Sequence, residues 1–128
     1  MQSILIFEED RDYRNQMVEI FSDAGYSVTV TDSVENAIGS ILNRMAQVVV
    51  IGTKCDALTT AALVPIMKQC NPKISIILVS ADISLGLLRK LRGEGIFYHA
   101  LKVTDSEGRE EVRQAVDCAF ENMHFHPV

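Results

Sequence analysis

Short apolar runs alternate with amphipathic helical patterns five times along this chain of 128 residues. Each run has four to six residues, a usual length for a strand, and the runs occupy residues 3–7, 26–31, 48–51, 74–79 and 97–101. The segments after them repeat apolar residues every three or four positions, as one face of a helix does. Strands that alternate with helices of this length imply right-handed crossovers between parallel strands. The sequence therefore predicts an α/β fold, a parallel sheet with helices on both faces.

A few residues indicate where the predicted helices begin, end or deviate. Gly25 ends the first helix, because glycine enters the left-handed conformation at little cost. Asp32 with Glu35 predicts a capping box at the start of the second helix, and Asp105 predicts a cap for the last. Pro65 lies inside the third helical pattern, where it removes a backbone hydrogen bond, so we expect a late start, a kink or an irregular first turn.

Length and charge narrow the classes of function. With 48% hydrophobic residues, residues 1–123 can bury the core of one domain, which leaves a short tail at residues 124–128. The net charge of -5 gives no overall positive field to attract nucleic acid or an anionic bilayer. No apolar run approaches the roughly 20 residues of a membrane span. We therefore expect a cytoplasmic protein that binds neither nucleic acid nor membrane.

The residues that follow the predicted strands at their carboxyl ends are the most informative, because parallel sheets place their chemistry there. They are Glu8, Glu9, Asp10, Gly52, Ser80 and Lys102. In chain order this gives acids after the first strand, glycine after the third, a hydroxyl after the fourth and a lysine after the fifth.

This order and spacing resemble the active site of CheY-like response-regulator receiver domains over nearly the whole chain. The resemblance implies a flavodoxin-like sheet of five parallel strands in the order 2-1-3-4-5. It also implies that Glu8 and Glu9 correspond to the acidic pair that holds a magnesium ion, Ser80 to the hydroxyl that contacts the phosphoryl group, and Lys102 to the lysine that neutralises it. His99 takes the position of the switch aromatic.

The resemblance fails at the central residue, since Gly52 stands where the family has its phosphoacceptor aspartate. Aspartyl phosphorylation needs a carboxylate nucleophile, which glycine lacks. Asp56 lies about 13 Å farther along an extended loop at about 3.3 Å per residue, beyond attacking distance. Val103 replaces the proline that follows the lysine, so the bond before it should be trans, because a non-proline cis bond costs about 2.5 to 4 kcal/mol.

Each of these residues also has a structural interpretation. Glu8 and Glu9 could form a solvated strand end, and at most a weak magnesium site, because the pocket has lost one carboxylate. Lys102 could be their ion-pair partner, and Ser80 could bond to backbone. We prefer to interpret His99 as a partly buried polar residue rather than a switch.

Receivers generally communicate, often as dimers, through the surface of the fourth helix, fifth strand and fifth helix. The resemblance therefore implies a partner face that includes Arg89, Arg92, Tyr98, Arg109 and Arg113. Opposite charges on the last two helices could pair across a two-fold axis in a homodimer.

The favoured hypothesis is a pseudo-receiver of two-component phosphorelay signalling that acts by phosphorylation-independent contact with a histidine kinase, regulator or output protein. Alternatives are an atypical receiver that still responds to a phosphodonor or divalent metal, and a small-ligand binder, although no Gly-rich phosphate loop is visible. The sequence contains no visible nucleophile–base pair or metal-ligand set, so we expect neither enzyme activity nor a cofactor. Phosphorylation regained by Gly52→Asp would indicate an otherwise assembled pocket.

Overall fold

The computed structural model describes residues 2–52, 57–81, 83–102 and 105–124, with the backbone alone at 57–59, 61 and 124. Five parallel strands form one sheet in the order β2-β1-β3-β4-β5, which confirms the predicted fold and strand order. The elements are β1 Ser3–Phe7, α1 Arg11–Asp23, β2 Ser27–Thr31, α2 Val34–Leu42, β3 Val48–Gly52, α3 Ala57–Cys70, β4 Ser75–Ser80, α4 Leu85–Glu94, β5 Tyr98–Leu101 and α5 Ser106–His124.

Successive residues of the inner strands alternate between two cores, which explains why those strands are apolar without interruption. On one face, Ile4 and Val50 pack with residues of α1 and α5 such as Met17. On the other face, the neighbouring Leu5 and Val49 pack with residues of α2, α3 and α4. Both faces of β1, β3 and β4 are therefore buried.

The helix ends at Gly25 and Asp105 are as the sequence predicts, and the start of α2 is not. Gly25 has φ of 93°, as its helix-ending role requires. Asp105 accepts a hydrogen bond from the backbone N–H of Gly108 at 2.7 Å, as expected of a cap. At α2, however, the N-cap is Ser33, whose side chain accepts from the N–H of Asn36. The predicted capping box one residue earlier was wrong, because a cap is fixed by which residue leaves the helical conformation.

Pro65 lies inside α3 and not at its start. The helix begins at Ala57, eight residues earlier, so the predicted late start was wrong. Proline cannot supply an N–H to the carbonyl four residues before it. The buried face of the helix, with Val64 and Met67 fully buried, provides packing that offsets this loss.

Among the described helices, none combines the length and the apolar composition needed to cross a bilayer.

Candidate functional site

Four of the predicted site residues meet at the carboxyl ends of the strands. Because β1 and β3 run in register, Glu8 and Gly52 lie side by side where these strands end. Ser80 ends β4, and its carbonyl accepts a hydrogen bond at 2.9 Å from the N–H of Lys102, which follows β5. The fold therefore assembles the arrangement of residues that the strand ends predict.

The carboxylate of Glu8 occupies the space where a side chain at position 52 would begin. A Cβ built on Gly52 would lie 1.6 Å from Oε2 and 2.3 Å from Cδ of Glu8. The Glu8 side chain is fully buried, so it has no solvent-filled space into which to withdraw. Glycine at 52 and a long acid at 8 are thus two parts of one packing arrangement.

Lys102 neutralises this buried acid. Its Nζ lies 2.8 Å from Oε1 of Glu8 and 3.2 Å from Oδ2 of Asp10. It also lies 4.9 Å from the centre of the Tyr13 ring, a cation–π distance. Burial by itself lowers the pKa of Lys102, but the hydrogen bonds and negative charges of Glu8 and Asp10 outweigh it, and the pKa is raised above its ordinary value. Lys102 is therefore a fixed cation at the centre of the site.

Asp10 forms the second acidic position, and Glu9 does not. The Glu9 side chain is exposed, which corrects the acidic pocket expected at Glu8 and Glu9. Asp10 caps α1 by accepting from the N–H groups of Asp12 and Tyr13. The N–H of Tyr13, followed by the ammonium of Lys102, holds the pKa of Asp10 below its usual value. One carboxylate thus both starts a helix and helps to neutralise the lysine.

The acidic side chains of the site do not fit a magnesium ion. Hard divalent cations take several oxygen ligands. Glu8 and Asp10 both bind an ammonium, and Gly52 contributes no oxygen. Within the described parts of the chain, no group of three His, Cys, Asp or Glu residues could hold a metal ion. The ammonium group of Lys102 lies between the two carboxylates, in the position that a metal ion bound by both acids would take.

Ser80 and His99 are joined by a hydrogen bond. Oγ of Ser80 lies 2.6 Å from Nε2 of His99. Burial, then the positive charge of Arg92, lowers the pKa of His99, although Glu111 opposes this, so the ring is neutral at pH 7. A serine beside a histidine could suggest a nucleophile and its base, but Ser80 is fully buried and offers no surface to a substrate. The bond instead ties the end of β4 to β5.

The predicted partner face is only partly open. Arg89, Arg92 and Tyr98 are exposed on α4 and β5. Arg113 forms ion pairs on its own helix with an acid three residues before it and another four residues after it, at 2.8 Å in the second case. Arg109 donates to Gln16 at 3.5 Å. The exposed cations of this face therefore lie on α4 rather than α5.

Two predictions lie outside the described residues: the proximity of Asp56 to the site and the trans bond before Val103.

Solved structures of receiver domains share this fold. The beryllofluoride-activated NtrC4 receiver domain dimer has a TM-score of 0.83 at 16% identity, covering 95% of this chain and 98% of that chain. A two-component response regulator from Clostridium difficile gives 0.80 at 16%, with 96% and 98% covered. A CheY-like receiver domain protein from Methanospirillum hungatei JF-1 gives 0.79 at 17%, with 95% and 98% covered. The chain therefore has the CheY-like receiver fold.

No family model and no curated protein matches the sequence.

Sequence reasoning missed two features of the site. The role of Asp10 could have been recognised from its position just before the first helical pattern, where aspartate is a common cap. The contact of Glu8 with Gly52 could also have been recognised from the sequence. A glutamate, one methylene longer than an aspartate, follows β1, and a residue without a side chain stands at the end of β3.

Proposed function

We propose that this chain is a pseudo-receiver, a signalling module that works through protein contacts without being phosphorylated. The observation that carries the proposal is the carboxylate of Glu8, which fills the space above Gly52 and is paired with Lys102. In an ordinary receiver the lysine is available to the phosphoryl group. Here it is bound by two acids of the same chain, so the pocket resembles a closed ion-pair cluster more than an empty reaction site.

The proposed partners are a histidine kinase, a regulator or an output protein in the cytoplasm. The proposed surface is formed by α4 and β5, with Arg89, Arg92 and Tyr98. Leu85 and Leu101 on the same elements are 60% and 58% exposed, which gives the surface apolar area as well as charge. No cofactor, nucleic acid or enzyme activity is part of this proposal.

The first prediction concerns phosphoryl transfer. Incubation with an acyl phosphate donor and magnesium should leave the intact mass unchanged, because no carboxylate stands at position 52 and the lysine is already paired. A receiver that retains its aspartate, treated in the same mixture, provides the positive control. A base-labile adduct of one phosphoryl group on this chain would contradict the proposal.

An atypical phosphorelay receiver is the second candidate, and one observation favours it. Oε2 of Glu8, the oxygen nearest to Gly52, has no hydrogen-bond partner among the described residues. Such a receiver would use this carboxylate as its nucleophile, and the site would first have to open, because Glu8 is as fully buried as Ser80. If an adduct forms in the same experiment, its loss in Glu8→Gln but not in Glu9→Gln would establish the second candidate.

The next prediction concerns self-association through α4 and β5. If this surface forms a dimer, Tyr98→Asp should weaken it by about tenfold or more, since it places a charge within an apolar contact. Sedimentation equilibrium over a dilution series measures the change. Ile66→Asp, on an exposed position of α3, is the matched control. A wild-type chain that stays monomeric at the highest concentration would eliminate the homodimer and leave a different protein as the partner.

A further inference from the structure

We propose that the free edge of β2, with the groove between β2 and α2, binds an extended peptide segment of a partner protein as a sixth strand. This surface lies on the sheet edge opposite α4 and β5. It is a second interaction site and does not depend on whether the chain is phosphorylated.

The backbone of β2 is available on its outer side. Among the described strands β2 pairs only with β1. The N–H of Ser27 donates to Gln2, and the carbonyl of Thr31 accepts from Glu8, so the alternate residues face β1. Val28 and Val30 therefore direct their N–H and C=O groups away from the sheet. The strand Ser27–Thr31 carries no charge and no proline, the usual devices that protect an edge from pairing.

A groove beside this edge can accept side chains of an added strand. The groove has a volume of about 400 Å³, and Thr29 and Thr31 of β2 and Gly39 of α2 are among the residues that line it. A Cβ added at Gly39 would meet nothing within 4 Å, so the helix leaves open space there. Val28 packs against the core on the other face, so Thr29 and Thr31 are directed toward α2. Every second side chain of a sixth strand would enter the same groove.

The charges and apolar residues around the groove define the occupant. Asp32 and Glu35 are exposed at the end of β2, and neither has an ion pair among the described residues. The side chain of Met45 borders the groove and is 62% exposed, whereas Val30 contributes its outward-facing backbone. The complementary segment is an extended peptide with small or β-branched side chains on alternate positions and a lysine or arginine near Thr31. Strand addition of this kind obtains affinity from the backbone and specificity from alternate pockets.

A second copy of this edge is a poorer occupant. Both ends of β2 are acidic, with Asp23 before it and Asp32 after it, and both carboxylates are exposed. Pairing two such edges brings acids toward acids, which opposes association. A basic peptide avoids this repulsion.

The test uses random linear peptides of about eight residues, the length of a long strand, displayed on phage and selected on the whole chain. Gly39→Leu fills the groove, and Gly86→Leu on α4 is the matched control, because a Cβ at either glycine meets nothing within 4 Å. Leucine has a higher helix propensity than glycine, so both variants should keep their fold, and urea unfolding verifies this. Selected peptides should bind wild type and Gly86→Leu alike and bind Gly39→Leu about tenfold more weakly or worse.

Amide shifts on binding locate the peptide. They should concentrate at Val28, Val30 and Gly39. Failure to select any peptide, equal binding to Gly39→Leu, or shifts centred on β5 would each overturn the proposal. Shifts at β2 that depend on protein concentration without peptide would assign the edge to a second copy and would also overturn it.

Discussion

Gly52→Asp should lower the free energy of unfolding by about 3 kcal/mol and should not restore phosphorylation. The new Cβ would lie within bonding distance of Oε2 of Glu8, and the new carboxylate would add a second negative charge beside a fully buried one. Urea unfolding followed by circular dichroism measures the loss, and intact mass after treatment with phosphodonor measures the modification. The substitution that the sequence alone suggested as a repair therefore damages the site.

Two further variants make this result specific. Gly93→Asp adds the same side chain on α4, where a Cβ meets nothing within 4 Å, and should cost less than about 1 kcal/mol. Glu8→Ala combined with Gly52→Asp removes the obstructing acid and places a carboxylate on β3, so most of the lost stability should return. If Gly52→Asp alone unfolds at the wild-type urea concentration, Glu8 does not fill that space.

Lys102→Met should lower the free energy of unfolding by about 3 kcal/mol at pH 7, because it leaves the carboxylate of Glu8 buried without a counterion. Among the described residues Lys102 is the cation that pairs with Glu8, at 2.8 Å, and Glu8 has no exposed surface through which water could replace it. The loss should depend on pH. An unpaired buried carboxylate has a raised pKa, so the folded variant binds more protons than the unfolded chain and loses stability as pH rises.

The variant should therefore be more stable at pH 5 than at pH 7.5, and urea unfolding at these two values measures the difference. The wild type, in contrast, should lose stability at both low and high pH. The pKa of Asp10 is held below 3.8, so its contribution is present above that value and is lost as pH falls through the lower folded pKa. The pKa of Lys102 is raised above 10.5, so its contribution is present below that value and is lost as pH rises through the higher folded pKa.

Two controls accompany Lys102→Met. Lys90→Met, at an exposed position of α4, should change stability by less than about 0.5 kcal/mol. Glu8→Gln combined with Lys102→Met removes both charges and should recover most of the loss, because no uncompensated ion remains. A double variant as unstable as the single one would mean that packing of the lysine stem, and not its charge, supports the site.

The sequence predicted the sheet and the position of Gly52 because both follow from local patterns. Uninterrupted apolar runs identify strands buried on two faces, and the residue after such a run lies at the strand end whatever the rest of the chain does. The same logic placed Ser80 and Lys102 together. These predictions needed only the strand order, which the alternation of elements strongly restricts.

The details of the site depended on geometry that no local pattern contains. Three acids follow β1, and which of them faces the lysine depends on how the chain turns into α1, where Asp10 serves as the cap and Glu9 turns outward. The contact of Glu8 with Gly52 depends on the register between two strands that are distant in sequence. The bond between Ser80 and His99 depends on side-chain conformations that the sequence does not specify.

The ion pair between Glu8 and Lys102 also has a consequence for the order of folding. The two residues are 94 positions apart, and the pair joins the end of β1 to the end of β5. A nascent chain in which β5 has not yet left the ribosome carries the acid without its cation, so burial of the Glu8 carboxylate remains unfavourable until β5 has emerged. The pair therefore forms late in folding, and it couples the first and last strands of the sheet.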